Sequence, residues 1–473
     1  MSPSRATWVR YGSYVISTGG AQVAGAMITA VTFPFLLRRL GVEMYGLWSY
    51  VVAVVALLES VANPGLTTHA EQQVAARRGE ASDVVSDTLV LRFFFILLVI
   101  CVIFGISIFE TRPEVARLLR FFGILVAFTN LASSQSLLAA MELFHARAAL
   151  TLTQQALYAA GILTLVRSPK DVMWVPASIL FSACFTNLYG WVLLHRAGLR
   201  LSLGIHRERW WAILVPAGHY AGASWMSSIY HRSGHIVIRW TLGEHALGVY
   251  AAATRLVDFL RQMLVVSQSV ILPRVAKAAT SAEALRRLVR FALVTQWLLG
   301  FPMAIGLLGT ASVIVPLVLG TQYAESARLL PWLAPYVIFA PAAVLFSGTV
   351  LYALGNYRAY LISTATGAVV ALLMYLTLVP MLGLHGACLA FVSAELAVAI
   401  SGYLQAPPPT REVWSHPLLY VIVAAAALMG GLLLVLSRYF RPVPATILAG
   451  TTYLLVCGLL ARRRIMEEFR TAQ

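Results

Sequence analysis

The sequence predicts an all-α polytopic membrane protein with fourteen transmembrane helices, arranged as two parallel-related six-helix lobes plus two C-terminal helices. Three observations predict it. Of 473 residues, 59% are hydrophobic and only 11% charged, against roughly 25% charged in an ordinary soluble domain. Apolar runs long enough to cross a bilayer recur from end to end. Two short motifs also repeat in register between the halves of the chain. So little polar surface cannot coat a globule in water, which excludes a soluble enzyme, a disordered protein and a secreted disulfide scaffold. Cys101, Cys184, Cys388 and Cys457 stand singly in apolar runs, without C-x-x-C or histidine at ligand spacing, and read as small hydrophobes.

A span needs roughly 20 apolar residues. Walking the chain gives candidates at 13–37, 44–62, 87–109, 118–141, 149–166 and 174–195, then, after a polar stretch, at 213–238, 247–273, 288–308, 329–353, 359–379 and 384–404, and finally at 418–436 and 444–460. The first is too long for a signal-peptide core and has no plausible cleavage site behind it, so it reads as an uncleaved first helix. Residues 67–83 read as a polar surface helix. An even number of spans puts both termini on one side. Placing them in the cytoplasm of a bacterial inner membrane puts most of the 35 Lys and Arg there, as the positive-inside rule requires.

The first interhelix turn reads Leu40-Gly41-Val42-Glu43-Met44-Tyr45-Gly46-Leu47-Trp48, and the turn after the seventh span reads Leu242-Gly243-Glu244-His245-Ala246-Leu247-Gly248-Val249-Tyr250. Both are L-G-x4-G-x-aromatic, 202 residues apart, each joining the first two helices of a six-helix set. Phe144-His145-Ala146-Arg147-Ala148 and Gly355-Asn356-Tyr357-Arg358-Ala359 match in the same way after the fourth and tenth spans. Six helices per half give both halves the same polarity across the membrane, which is transporter architecture. The domains expected are an N-lobe at 1–195, a cytoplasmic linker at 196–212, a C-lobe at 213–405, and two further helices with a basic tail at 406–473, after a Pro-rich loop.

Polar groups at membrane depth are costly and mark function by default. On the seventh helix Ser224, Ser227, Ser228, His231, Arg232 and His235 fall within an arc of about 140°, a stripe that points to a wet cavity; His219 falls outside it and reads as a packing residue. On the eighth helix Arg255, Asp258 and Arg261 follow at three-residue steps, so Asp258 neutralises one neighbour. An internal salt bridge that merely pins the helix is the other reading of this triplet. Arg92, in the third helix, either supplies a matching charge from the first lobe or snorkels to headgroups. Glu395 is the lone deep carboxylate besides Asp258. It is a proton or cation site, or a neutral hydrogen-bonded carboxyl. Deep charges that are mainly Arg and His favour an anionic substrate over an organic cation.

The +16 formal charge is almost wholly arginine and says nothing of phosphate binding by itself. The sequence holds no G-x-x-x-x-G-K-[ST], no H-E-x-x-H and no metal-ligand cluster, so no catalytic residue, metal, cofactor or nucleic-acid partner is expected. Arg38 and Arg39 read as solvated anchors on the outer face.

The stretch from Phe33-Pro34-Phe35 through Arg38-Arg39-Leu40-Gly41 to Tyr45-Gly46-Leu47-Trp48 resembles the opening signature of Wzx-type polysaccharide (O-antigen and oligosaccharide) flippases. These belong to the multidrug/oligosaccharidyl-lipid/polysaccharide exporter superfamily. Gly248-Val249-Tyr250 through Thr254-Arg255-Leu256, followed by Leu272-Pro273-Arg274, is similar to the start of that family's second lobe, and Gly383-Leu384-His385-Gly386-Ala387 to its twelfth-helix entry. The resemblance implies movement of an undecaprenyl-pyrophosphate-linked oligosaccharide from the cytoplasmic to the outer leaflet, through a basic cavity between two six-helix lobes, for lipopolysaccharide or other surface polysaccharide. It further implies membrane lipids, a polysaccharide polymerase and chain-length machinery as partners, and leaves open a coupled H+ or Na+ acting at Asp258 or Glu395. The cationic residues it transfers are best placed at Arg255 and Arg261. Relatives that flip the peptidoglycan precursor carry basic residues in the first helix, where this chain has Gln22 and no charge, which argues against that substrate. A multidrug or organic-cation antiporter of the same superfamily would need exposed cavity carboxylates, and a membrane-embedded glycosyltransferase or polymerase would need a large outer loop or an appended catalytic domain.

Overall fold

The structure, a computed structural model, describes residues 5–472 apart from 64, 68–69, 72–73, 75–80, 132, 200–206 and 266–267; the side chains of 5–19, of 461–472 and of some other helical residues, Gln22 and His219 among them, lie outside the described set. The expected surface helix at 67–83 falls mostly outside it as well. No strand occurs among the described residues, and the chain forms two compact units, Met1–Trp225 and Met226–Gln473.

Unit 1 holds α1 (Arg5–Ala62), α2 (Ala81–Phe109), α3 (Pro113–Leu131), the short α4 (Gln135–Ala140), α5 (Phe144–Leu165), α6 (Trp174–Arg196) and the start of α7 (Arg207–Val265). α1 is a hairpin. Phe33 and Tyr45 are twelve residues apart, about 18 Å along a straight helix, yet their ring centroids lie 6.2 Å apart. The reversal is made at Gly41, with φ 76° and ψ 169°, a region essentially closed to residues with a Cβ. α1 packs on α5, α2 on α3, and α6 on both α3 and α5. Leu137, Leu138, Leu150 and Leu194 form a core where α4, α5 and α6 meet. Glu71 lies against Arg147 and Ser136; burial pushes its carboxyl above the usual range while the guanidinium pulls it back.

The rest of α7 opens unit 2, followed by α8 (Gln268–Lys277), α9 (Ala282–Val318), α10 (Ser326–Leu333), α11 (Tyr336–Ala343), α12 (Tyr357–Leu382), α13 (Leu384–Gln405), α14 (Pro417–Leu436) and α15 (Pro442–Ala472). α7 is a second hairpin, reversed at Gly243 (φ 87°, ψ −179°). His235 and Tyr250, about 22 Å apart along a straight helix, touch edge to face at 5.7 Å, and Arg239 is 3.4 Å from Glu244 across the turn. Both copies of the L-G-x4-G-x-aromatic motif are therefore one-glycine reversals. α12 and α13 lie close because glycines face neighbouring chain: a Cβ on Gly386 would meet the Leu378 carbonyl, and one on Gly367 the Val398 side chain. α11 continues into a π-helical turn, Val344–Leu351, where Gln268 of α8 donates to the Pro341 carbonyl at 2.9 Å and accepts from Thr349 at 2.8 Å. α14 and α15 dock on α9 through Met429, Leu433, Ala449 and Tyr453, whose hydroxyl donates to the Leu298 carbonyl.

By length and composition ten described helices can cross a membrane, eleven if the pair Ser326–Leu333 and Tyr336–Leu351, bent by 51°, is one broken span. The chain is a multi-pass membrane protein. The expected spans lie on these helices and on the two arms of α7, and the hairpin α1 enters that count as a single 39-residue stretch, Ala24–Ala62.

Candidate functional site

Of the polar residues expected along α7, His231, Asp258 and Arg261 gather, with Tyr336 of α11 and Phe391 and Glu395 of α13, into one cluster inside unit 2. On the first arm His231 places Nε2 3.7 Å from Oε1 of Glu395 on α13, its ring beside Tyr230 at 4.1 Å and facing Phe391 at 6.4 Å. One turn further on, His235 turns inward onto Tyr250, and its Nδ1 is buried with no hydrogen bond. Tyr250 in turn shares a 3.0 Å hydrogen bond with Tyr375 of α12. Arg232, Ser224, Ser227 and Ser228 are half-buried on the same arm. The stripe thus divides: His235 packs, whereas His231 keeps 30% of its side chain exposed and faces the carboxyl.

On the second arm Asp258 accepts a short hydrogen bond from the phenol of Tyr336 on α11, and Arg261 brings Nε to 3.4 Å from the same carboxylate oxygen. That Nε has no aligned acceptor, so the pair is held by charge and not by a directed hydrogen bond. Asp258 and Arg261 are 29% and 21% exposed, enough to meet a ligand. The structure places Arg255 and Arg261 differently. Six residues on a helix are about 120° apart; Arg261 joins the cluster and Arg255 is exposed. Tyr336 also stacks on Phe391 at 4.5 Å, joining the two halves of the cluster. Glu395 is buried, with Oε2 making no hydrogen bond.

Arg92, the candidate of unit 1, does not snorkel. It is buried within α2, its Nε without a hydrogen bond, and the opposing charge is Glu59 of α1. Glu59 accepts from the Asn130 amide of α3 at 2.7 Å. Glu59 thus faces both Arg92 and Asn130 inside unit 1. Sequence reasoning missed Tyr336 and Phe391, since aromatics inside apolar runs carry no polar signal. Among the described residues no group of His, Cys, Asp and Glu could hold a metal ion.

The profile of the family described as polysaccharide biosynthesis protein matches residues 12–279. The chain belongs to that family. No curated protein sequence matches this member, but solved structures do. The lipid II flippase MurJ in an inward closed conformation superposes with a TM-score of 0.75 at 13% identity, over 96% of this chain and 99% of that one. An inward-facing multidrug resistance MATE transporter of the MOP superfamily gives 0.64 at 15%, over 82% and 95%. A MOP superfamily transporter from Pyrococcus furiosus gives 0.60 at 16%, over 86% and 96%. At such identities the likeness is one of fold. The family member has the fold of transporters and flippases, not of an enzyme.

Proposed function

We propose that this protein flips an undecaprenyl-pyrophosphate-linked oligosaccharide from the cytoplasmic to the outer leaflet of a bacterial inner membrane, by alternating access, for surface polysaccharide biosynthesis. The observation that carries the reading is the cluster around Arg261: a guanidinium in the membrane-spanning part of unit 2, mostly buried but 21% exposed, whose carboxylate neighbour is partly satisfied by Tyr336. Because Asp258 is shared, the planar fork of Arg261 keeps N–H groups for phosphate oxygens, which it binds several at a time. Arg232 and Arg255 bring the same sign of charge from the arms of α7. Membership of a polysaccharide biosynthesis family supports a glycan-bearing substrate, and the fold shared with a lipid II flippase supports a lipid-linked one.

A headgroup with about two negative charges leaving a negative cytoplasm moves downhill by roughly 2.3 kcal/mol per charge per 100 mV. The potential alone therefore biases the flip by about 4 to 5 kcal/mol. Glu395, facing His231, is the group through which a proton or sodium ion couples. Both chain termini lie in the cytoplasm, the lobes divide at 196–212, and a polymerase with its chain-length machinery receives the product.

Replacement of Arg261 by Ala is expected to abolish surface polysaccharide while the protein persists in the membrane. Normal polysaccharide in both Arg261→Ala and Arg255→Ala cells would refute the assignment. Rescue of drug sensitivity by the wild-type chain, with polysaccharide unaffected by its deletion, would favour the organic-cation antiporter instead, for which Asp258 supplies a partly exposed carboxylate.

A further inference from the structure

Unit 1 contains a second polar stripe, uncharged along most of its length. On α5, Arg147, Thr151, Gln154, Gln155 and Tyr158 fall within an arc of about 100°. The opposite face carries Ala149, Ala156, Ala160 and Leu163, all exposed, and so meets lipid. The stripe therefore points into unit 1. It is not buried: all five side chains are half-exposed. Thr151 to Tyr158 occupy the middle of a 22-residue helix, whose length of about 33 Å matches the hydrocarbon core, so the amides sit near the bilayer midplane.

The contacts within the stripe leave donors over. Gln135 of α4 donates to Oε1 of Gln154 at 2.6 Å and accepts from Thr151 at 3.2 Å. The Thr29 hydroxyl of α1 donates to the Gly25 carbonyl at 3.0 Å and lies 3.4 Å from Oε1 of Gln155. The amide nitrogens of Gln154 and Gln155 have no partner among the described residues, and the Gln154 carbonyl oxygen is already engaged. Room for Gln155 is made by Gly25 on α1, where an added Cβ would lie 2.7 Å from the amide nitrogen. Arg147, at the first turn, faces Glu71, which takes the one charge of the stripe out of play. What remains is a midplane row of amides, a hydroxyl and a tyrosine ring. Lipid tails cannot satisfy such groups, and an anion finds no charge there. Hydroxyl and acetamido groups accept from amide N–H, and the apolar face of a sugar ring stacks on an aromatic.

We infer that the α5 stripe, centred on Gln154 and Gln155, is a binding site for the uncharged sugar portion of the substrate, separate from the cationic cluster of unit 2. The inference rests on the lipid-linked oligosaccharide reading above. It is tested on purified full-length protein in lipid nanodiscs with two probes, undecaprenyl pyrophosphate and undecaprenyl-pyrophosphoryl-N-acetylglucosamine, by native mass spectrometry. Wild-type protein is expected to prefer the sugar-bearing probe by about tenfold or more, the worth of one or two hydrogen bonds. Gln155→Met, of similar length but without the amide, is expected to bring the ratio close to one. Gly25→Ala is expected to do the same by pushing the flexible amide aside, without altering any helix contact of the backbone. An undiminished preference in both variants, at unfolding temperatures close to wild type, overturns the site. No preference in the wild-type protein overturns it as well. Failure of Arg261→Ala to weaken binding of the bare pyrophosphate lipid would count against the cationic cluster and leave the sugar preference to be read on its own.

Discussion

Tyr336 does most to set the state of the unit 2 cluster, because one phenol serves both sides of it. Its hydroxyl holds Asp258 and its ring lies on Phe391, one turn from Glu395. Tyr336→Phe keeps the stacking and removes the hydrogen bond to the carboxylate. A loss of about 1.5 kcal/mol is expected, the lower end for a bond to a charged group, since Arg261 remains to face Asp258. Denaturant unfolding in micelles measures it. Glu395→Gln, by contrast, keeps shape and removes the titratable carboxyl from a site whose Oε2 has no hydrogen bond. Its fold should survive intact, and transport in vesicles should lose its dependence on the coupled cation's gradient while still responding to membrane potential. Transport that keeps its ion dependence in this variant would exclude Glu395 as the coupling group.

Among elements, the two hairpins are the most constrained. Gly41 and Gly243 adopt backbone angles that a side chain makes costly by about 1–3 kcal/mol. Gly243→Ala should therefore lower stability by that amount, although open space surrounds the position. Gly431→Ala, in the exposed middle of α14 with no neighbour within contact, should leave stability unchanged or raise it by up to about 1 kcal/mol. Thermal unfolding of the pair separates backbone strain from mere loss of a glycine. The repeat itself was legible in the sequence because the reversal needs glycine and its flank needs an aromatic. The π-helical turn after Pro341 was not, since the group that stabilises it, Gln268, lies more than seventy residues earlier in the chain. The α5 stripe was written in the sequence at helical spacing, yet glutamines carry no charge and drew no attention beside the arginines.

For the molecule as a whole, apolar composition and run lengths made the all-helical, multi-pass fold legible, and charge made the orientation arguable. The three-dimensional grouping of Asp258, Arg261, Tyr336, His231 and Glu395 was not legible, because it depends on which face each arm turns toward α11 and α13. Orientation has a direct check. With both termini in the cytoplasm, the short helix Pro169–Met173 lies outside and the first turn of α9 inside. Lys170→Cys should react with a membrane-impermeant maleimide on intact cells or spheroplasts, and Arg286→Cys only after permeabilisation. The reverse pattern would invert the topology and with it the direction of the proposed flip.

The one-residue reversal at Gly243 also bears on how the chain is made. The first arm of α7, burdened with histidines and arginines, is a poor candidate to partition into lipid from the translocon unaided. Joined to its twin by a single glycine, it cannot dwell outside while the twin goes in, so both must be released sideways as a pair. Biogenesis, not only transport, then depends on that turn staying tight: a flexible insert there would strand the cationic arm in water and expose it to quality-control proteases.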